Sequence, residues 1–159
     1  FGYDGNNRTF LLKLLHINSD FSNQALYNEL VSSLEQSGID KQFVYVPVRS
    51  EAELDQNRNP ALKNTEYCFV RVLRLYHRVF FRRKISTVFS SLTSSVDVGQ
   101  FSVVHAHFLY SDGAVALRIK KKYGIPYIAA VRNTDVFFDL GFWRGRLASR
   151  TKSRPNIFR

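Results

Sequence analysis

The stretch Phe101–Asp135, FSVVHAHFLYSDGAVALRIKKKYGIPYIAAVRNTD, decides the fold. Phe101 to Val104 is apolar and β-prone, and His105 and His107 follow at a period of two, which puts both on one side of the strand. Asp112 is placed to cap a helix over 113–123, Gly124 offers a left-handed stop, and Pro126 prevents continuation. Tyr127 to Val131 is a second apolar run, closed by Arg132, Asn133, Thr134 and Asp135. A strand, a helix and a strand of these lengths make one crossover unit of a parallel sheet. Ligands of such sheets sit beyond the carboxyl ends of the strands, where both polar clusters fall.

The rest of the chain extends the alternation. Phe10 to Ile17 is nearly continuous in apolar character, as a central parallel strand requires. Ser22 is placed to cap a helix over 23–37, with Leu26, Leu30, Val31 and Leu34 as its apolar stripe and Gly38 as its end. Gln42 to Val48 reads as a second strand, with Pro47 where a strand is about to leave the sheet. A polar connection over 49–65 follows, then an alternation of Phe69, Arg71, Leu73 and Leu75 that admits a strand. From about His77 to Leu92, the residues Phe81, Ile85, Val88, Phe89 and Leu92 share one helical face. The expected fold is α/β, a Rossmann-like doubly wound parallel sheet over 10–138, after a disordered lead-in at 1–9.

Bulk properties narrow the class. A chain of 159 residues, 45% hydrophobic and 23% charged, suits one globular domain, and such a chain hides roughly 70% of its unfolded surface. Its single cysteine, Cys68, excludes an internal disulfide framework and fits a reducing compartment. No apolar run reaches the roughly 20 residues that span a bilayer, and no signal peptide is visible. A cytoplasmic location, peripheral on the inner face of the cell membrane, is the expectation. The net charge of +10 points to a polyanionic partner, an anionic membrane face or nucleic acid, or to a basic surface with no partner. The chain has no methionine, and 139–159 is an irregular basic tail; a fragment with a non-native end is expected.

The segment also resembles the N-terminal half of family 4 glycosyltransferases, which are built from two Rossmann-like domains in the GT-B architecture. The residues that carry the likeness are His105-Ala106-His107, Asp112-Gly113, Gly124-Ile125-Pro126-Tyr127 and Arg132-Asn133-Thr134-Asp135, over roughly 92–136. The resemblance implies a retaining glycosyltransferase of polysaccharide biosynthesis that moves a hexosyl group from a nucleotide-sugar to a glycan or lipid-linked acceptor. This chain would be its acceptor-binding half, inert alone and without a cofactor of its own, the donor being held mainly by a second domain. The alternative is a basic α/β module that binds nucleic acid or an anionic membrane without catalysis; nucleic acid is the less favoured partner.

Candidate site residues follow from both readings. His105 and His107 are open to three: hydrogen bonds to acceptor hydroxyls, structural histidines, or a metal site needing a third ligand such as Asp112, which nothing in the spacing demands. No metal is therefore expected. Ser22 and Asn23, in the loop after the first strand, lie at a helix N-terminus that attracts phosphate or a sugar hydroxyl. Asp112, Gly113, Arg132, Asn133 and Asp135 complete the acceptor set. Arg132 replaces the family's usual histidine and could clamp an anionic group in bidentate fashion. Arg78, Phe81, Arg82, Arg83 and Lys84 make a basic–aromatic face suited to an anionic bilayer. No nucleophile-elbow or triad pattern is present.

Overall fold

The computed structural model of the chain describes residues 11–131. The expected lead-in at 1–9, the tail at 139–159, and the candidates Arg132, Asn133 and Asp135 lie outside the described residues. Five strands form one all-parallel sheet: β1 (Lys13–Ile17), β2 (Lys41–Val48), β3 (Thr65–Arg71), β4 (Val103–Ala106) and β5 (Tyr127–Ala129). Their order is β3-β2-β1-β4-β5, so the chain moves outward one way, then returns past β1 to build the other side. This is the strand order of a Rossmann-like sheet, and its switch point lies between β1 and β4.

Three helices cover the two faces: α1 (Leu26–Gln36), α2 (Phe81–Ser95) and α3 (Ser111–Tyr123). On one face Leu15, Ile17, Tyr45 and Val104 meet Val88, Phe89 and Leu92 of α2 and Val115 and Ile119 of α3 in a single buried cluster. On the other, Val44, Val46 and Val48 pack with Tyr27 and Val31 of α1 and with Phe21. Burial on both sides explains why β2 is apolar at consecutive positions rather than at alternate ones. Truncation of the fully buried Leu92 to Ala would cost about 2–5 kcal/mol.

Several local expectations change. The buried residues of α1 are Tyr27 and Val31, while Leu26 is exposed, because the helix starts later than the Ser22 cap implies. Ser22 caps nothing; it sits in a short 3-10 turn over Phe21–Asn23, and its hydroxyl donates to the Glu53 carbonyl at 2.8 Å. Asp112 lies inside the first turn of α3 and makes no cap bond to it. An acid there is still favoured by the helix dipole. Pro47 stands one residue before the end of β2, as expected, and still pairs with Val70 in the β2–β3 ladder. Tyr45 turns its carbonyl to Asn18 on the β1 side, and Pro47 faces the same way, beyond the last residue of β1. Its missing N–H therefore removes no ladder bond. Gly124 does close α3, at φ 76°.

Candidate functional site

The connections that leave the carboxyl ends of the strands enclose an open cleft of about 630 Å³. Ser19, Asp20 and Asn23 come from the loop after β1, Arg49 from the end of β2, and Phe108, Tyr110 and Ser111 from the β4–α3 turn. The wall between β3 and α2 supplies Leu73, His77 and Arg78, and α2 itself supplies Phe81 and Lys84. The cleft thus straddles the switch point.

Cations outnumber acids by one in its lining. Arg49, Arg78 and Lys84 face two acids, Asp20 and Glu53, and both acids are engaged elsewhere. Asp20 accepts from the Asn23 and Gln24 side-chain amides, each at 2.7 Å. Glu53 accepts from the Ser50 N–H at 3.2 Å and the Ser50 hydroxyl at 2.8 Å.

His77 is 4% exposed, and its Nδ1 accepts the Arg74 backbone N–H at 3.0 Å. Burial, and then the positive field of Lys84, Arg83, Arg49 and Arg74, holds this imidazole below its usual range. A neutral ring that accepts at Nδ1 carries its hydrogen on Nε2. That Nε2 is buried and has no hydrogen-bond partner among the described residues. A cleft wall with a spare N–H donor among three cations is suited to an anion.

Asp112 lies beneath the cleft. It accepts from the Ser19 backbone N–H at 3.2 Å and the Ser111 hydroxyl at 3.1 Å, and burial raises its carboxyl to about 6. The Ser19 and Ser111 bonds and nearby Lys84 oppose that rise. Burial also pulls the Lys84 ammonium below its usual range, and Asp112 acts the other way. Gly113 has a packing reason: a Cβ there would stand 3.3 Å from the Phe108 carbonyl oxygen and 3.7 Å from the Ala129 methyl.

An apolar groove of about 340 Å³ adjoins the cleft, with Leu109, Ala114, Leu117 and Tyr127 in its lining. Phe81 and Tyr110 line both hollows, their rings 5.9 Å apart and edge to face. Just before α2's start, Leu75, Val79 and Phe80 are 76%, 78% and 57% exposed, and Arg74, Arg78, Arg82 and Arg83 are exposed beside them. Lys84 differs from its basic neighbours, being half-buried in the cleft.

The two candidate histidines do share a side, with ring centroids 4.2 Å apart. Neither lines the cleft. His107 is 1% exposed, because its backbone N–H still bonds Ile17 and keeps it in the sheet, where its ring meets the edge of Tyr27. A third histidine, His16, joins them from β1. Burial lowers His16 to about 4, with Gln42 opposing and His105 adding to the shift. Its imidazole is neutral at ordinary pH.

Of the expected acceptor residues that are described, only Asn23 lines the cleft directly; Asp112 supports it from below, Gly113 lines the adjoining groove, and Ser22 is a packing residue. Arg49 and His77 were not among the expected site residues: Arg49 stands in a connection without periodic pattern, and His77 reads as the first residue of a helix that begins at Phe81 instead. Searches of protein-family models, curated proteins and solved structures find no match for this chain.

Proposed function

We propose that the chain is the acceptor-side half of a retaining glycosyltransferase of GT-B architecture, and that its acceptor is an amphiphile with a phosphate beside a lipid tail. The single observation behind this reading is the cationic cleft that opens across Phe81 and Tyr110 into an apolar groove. A phosphate fits among Arg49, His77, Arg78 and Lys84, and an apolar tail fits the groove. The nucleotide-sugar donor belongs mainly to a second Rossmann-like half outside this stretch.

The exposed residues Leu75, Val79 and Phe80 support the same reading. They stand among arginines beside the cleft, as expected of a face that rests on an anionic bilayer and collects a lipid-borne substrate there. Nucleic acid would employ the same cations but leave Leu75 and Val79 without a partner. Among the described residues no helix is long and apolar enough to cross a membrane.

Calorimetric titration with farnesyl phosphate, and with farnesol as the uncharged control, tests this. Farnesyl phosphate should bind and farnesol much more weakly, and Lys84→Ala with Arg78→Ala should weaken the former about tenfold or more. Equal binding of both, or of neither, would remove the phosphate-bearing acceptor. Nucleotide-sugar turnover by the isolated chain would remove the division into halves.

A further inference from the structure

His16, His105 and His107 meet where β1 and β4 run side by side. His16 and His105 are register partners, and His107 follows two positions later on the same side. One nitrogen from each ring lies within 4.8 Å of the others. Zinc-type ions hold imidazole nitrogen at about 2.0–2.1 Å, so neighbouring ligands of a tetrahedron stand about 3.4 Å apart. His16 Nδ1 and His107 Nε2, 3.0 Å apart, are already close to that spacing. His105, half-buried, brings its own ring nitrogen within the same 4.8 Å of both.

The hydrogen bonds behind His16 fix which nitrogen faces the cluster. Gln42 Nε2 donates to the Val31 carbonyl at 3.0 Å and to Thr65 Oγ1 at 3.1 Å. The amide oxygen Oε1 is thereby the atom 3.0 Å from His16 Nε2. An amide oxygen can only accept, so His16 carries its hydrogen on Nε2 and presents the Nδ1 lone pair to the other histidines. Metal-ligating imidazoles are held in this way, with the remote N–H given to an oxygen. The relay continues, since the Thr65 hydroxyl donates to Glu35 Oε2 at 2.6 Å. Along this path one donor at each step from His16 outward points toward that carboxylate, which strengthens the Nδ1 lone pair as a ligand.

We propose that His16, His105 and His107 form a three-imidazole site for a divalent transition-metal ion of the zinc type. The donor set suits zinc, cobalt(II) or nickel(II) and does not suit magnesium or calcium, which take oxygen ligands. In the metal-free chain His107 Nε2 donates its hydrogen to His16 Nδ1. The ion takes the place of that hydrogen, which passes to the other nitrogen of the His107 ring or to solvent. Bound there, the ion joins β1 to β4 at the switch point, beneath α1. The site is separate from the cationic cleft and stands whether or not the chain serves glycosyl transfer.

Cobalt(II) titration of the chelator-stripped, full 159-residue chain tests the site. It should give the intense visible absorption of a four- or five-coordinate ion, saturating at one ion per chain, and zinc should displace it and raise Tm. His105→Ala, at the half-buried position, should weaken binding about 100-fold or more. His77→Asn, which alters the chain's remaining histidine, should leave it unchanged. Imidazole nitrogen resonances of His16 and His107 in the unaltered chain supply a readout independent of any variant, and both should move with zinc. No cobalt band, a band that survives His105→Ala, or a band lost with His77→Asn would each overturn the proposal in favour of a purely hydrogen-bonded core cluster.

Discussion

The Ser19 backbone N–H donates to the Asp112 carboxylate at 3.2 Å, across 93 positions of sequence. This bond ties the loop after β1 to the first turn of α3, and so closes the floor of the cleft at the switch point. Asp112 is buried there with its carboxyl raised to about 6 from an ordinary 3.8. Between those values the folded chain holds a proton that the unfolded chain has released. The stabilisation from that proton is full below about pH 3.8 and is lost as pH rises through about 6.

Asp112→Asn cannot titrate, so its stability relative to the unaltered chain should improve as pH rises from about 4 to 7. The change should be on the order of 2–3 kcal/mol, since each tenfold difference in proton affinity between the folded and unfolded chain is worth about 1.4 kcal/mol. Urea unfolding at a series of pH values measures the difference. A flat difference would contradict the buried, proton-holding Asp112.

Gly113→Val should destabilise the chain by about 1–3 kcal/mol, because the added groups press on the Phe108 carbonyl and on Ala129. The same substitution at exposed Leu117, also within α3, should cost less than about 1 kcal/mol. Thermal unfolding of the two variants makes the comparison. Equal losses would mean that helix propensity, not the close approach of α3 to β5, accounts for the glycine.

Gln42→Leu should cost about 1–3 kcal/mol despite its similar volume. It removes the acceptor for His16 Nε2–H and the donor to the Val31 carbonyl, both buried. Denaturant midpoints check this. A neutral effect would mean that the network adds nothing to stability.

Val79→Ser with Phe80→Ser, or Arg82→Glu with Arg83→Glu, should abolish binding to vesicles containing anionic lipid, with folding unchanged since all four side chains are exposed. Binding by the unaltered chain should fall as salt rises and as the anionic fraction is lowered. Co-sedimentation measures it. Vesicle binding that survives both pairs would place any membrane contact elsewhere.

Much of the architecture was legible in the sequence because its signals are local. The apolar run before His105, the left-handed Gly124 and the GIPY link each specify a conformation within a few residues, and β4, α3 and β5 form accordingly. The alternation at 66–75 became β3 only as far as Arg71, and Leu75 opens a 3-10 turn instead. Capping was misread where a tertiary partner took the side chain: Asp112 went to Ser19, and Ser22 to the Glu53 carbonyl. The role of His16 was hidden because it depends on β1 lying next to β4, a pairing that joins residues 91 positions apart. A histidine near the end of each of two strands adjacent in Rossmann order was the available clue. Arg49 carried no clue, since a connection without a period gives no direction to its side chain, and His77 read as the start of a helix that begins four residues later, at Phe81.

The most direct test of the phosphate-bearing acceptor is nitrogen NMR of the His77 imidazole during titration with farnesyl phosphate. The account predicts a saturable change at His77 Nε2 as it gains an anionic acceptor, together with changes at Ser19 and Ser111, and none with farnesol. A His77 signal unmoved at saturating farnesyl phosphate, or moved equally by farnesol, would contradict it.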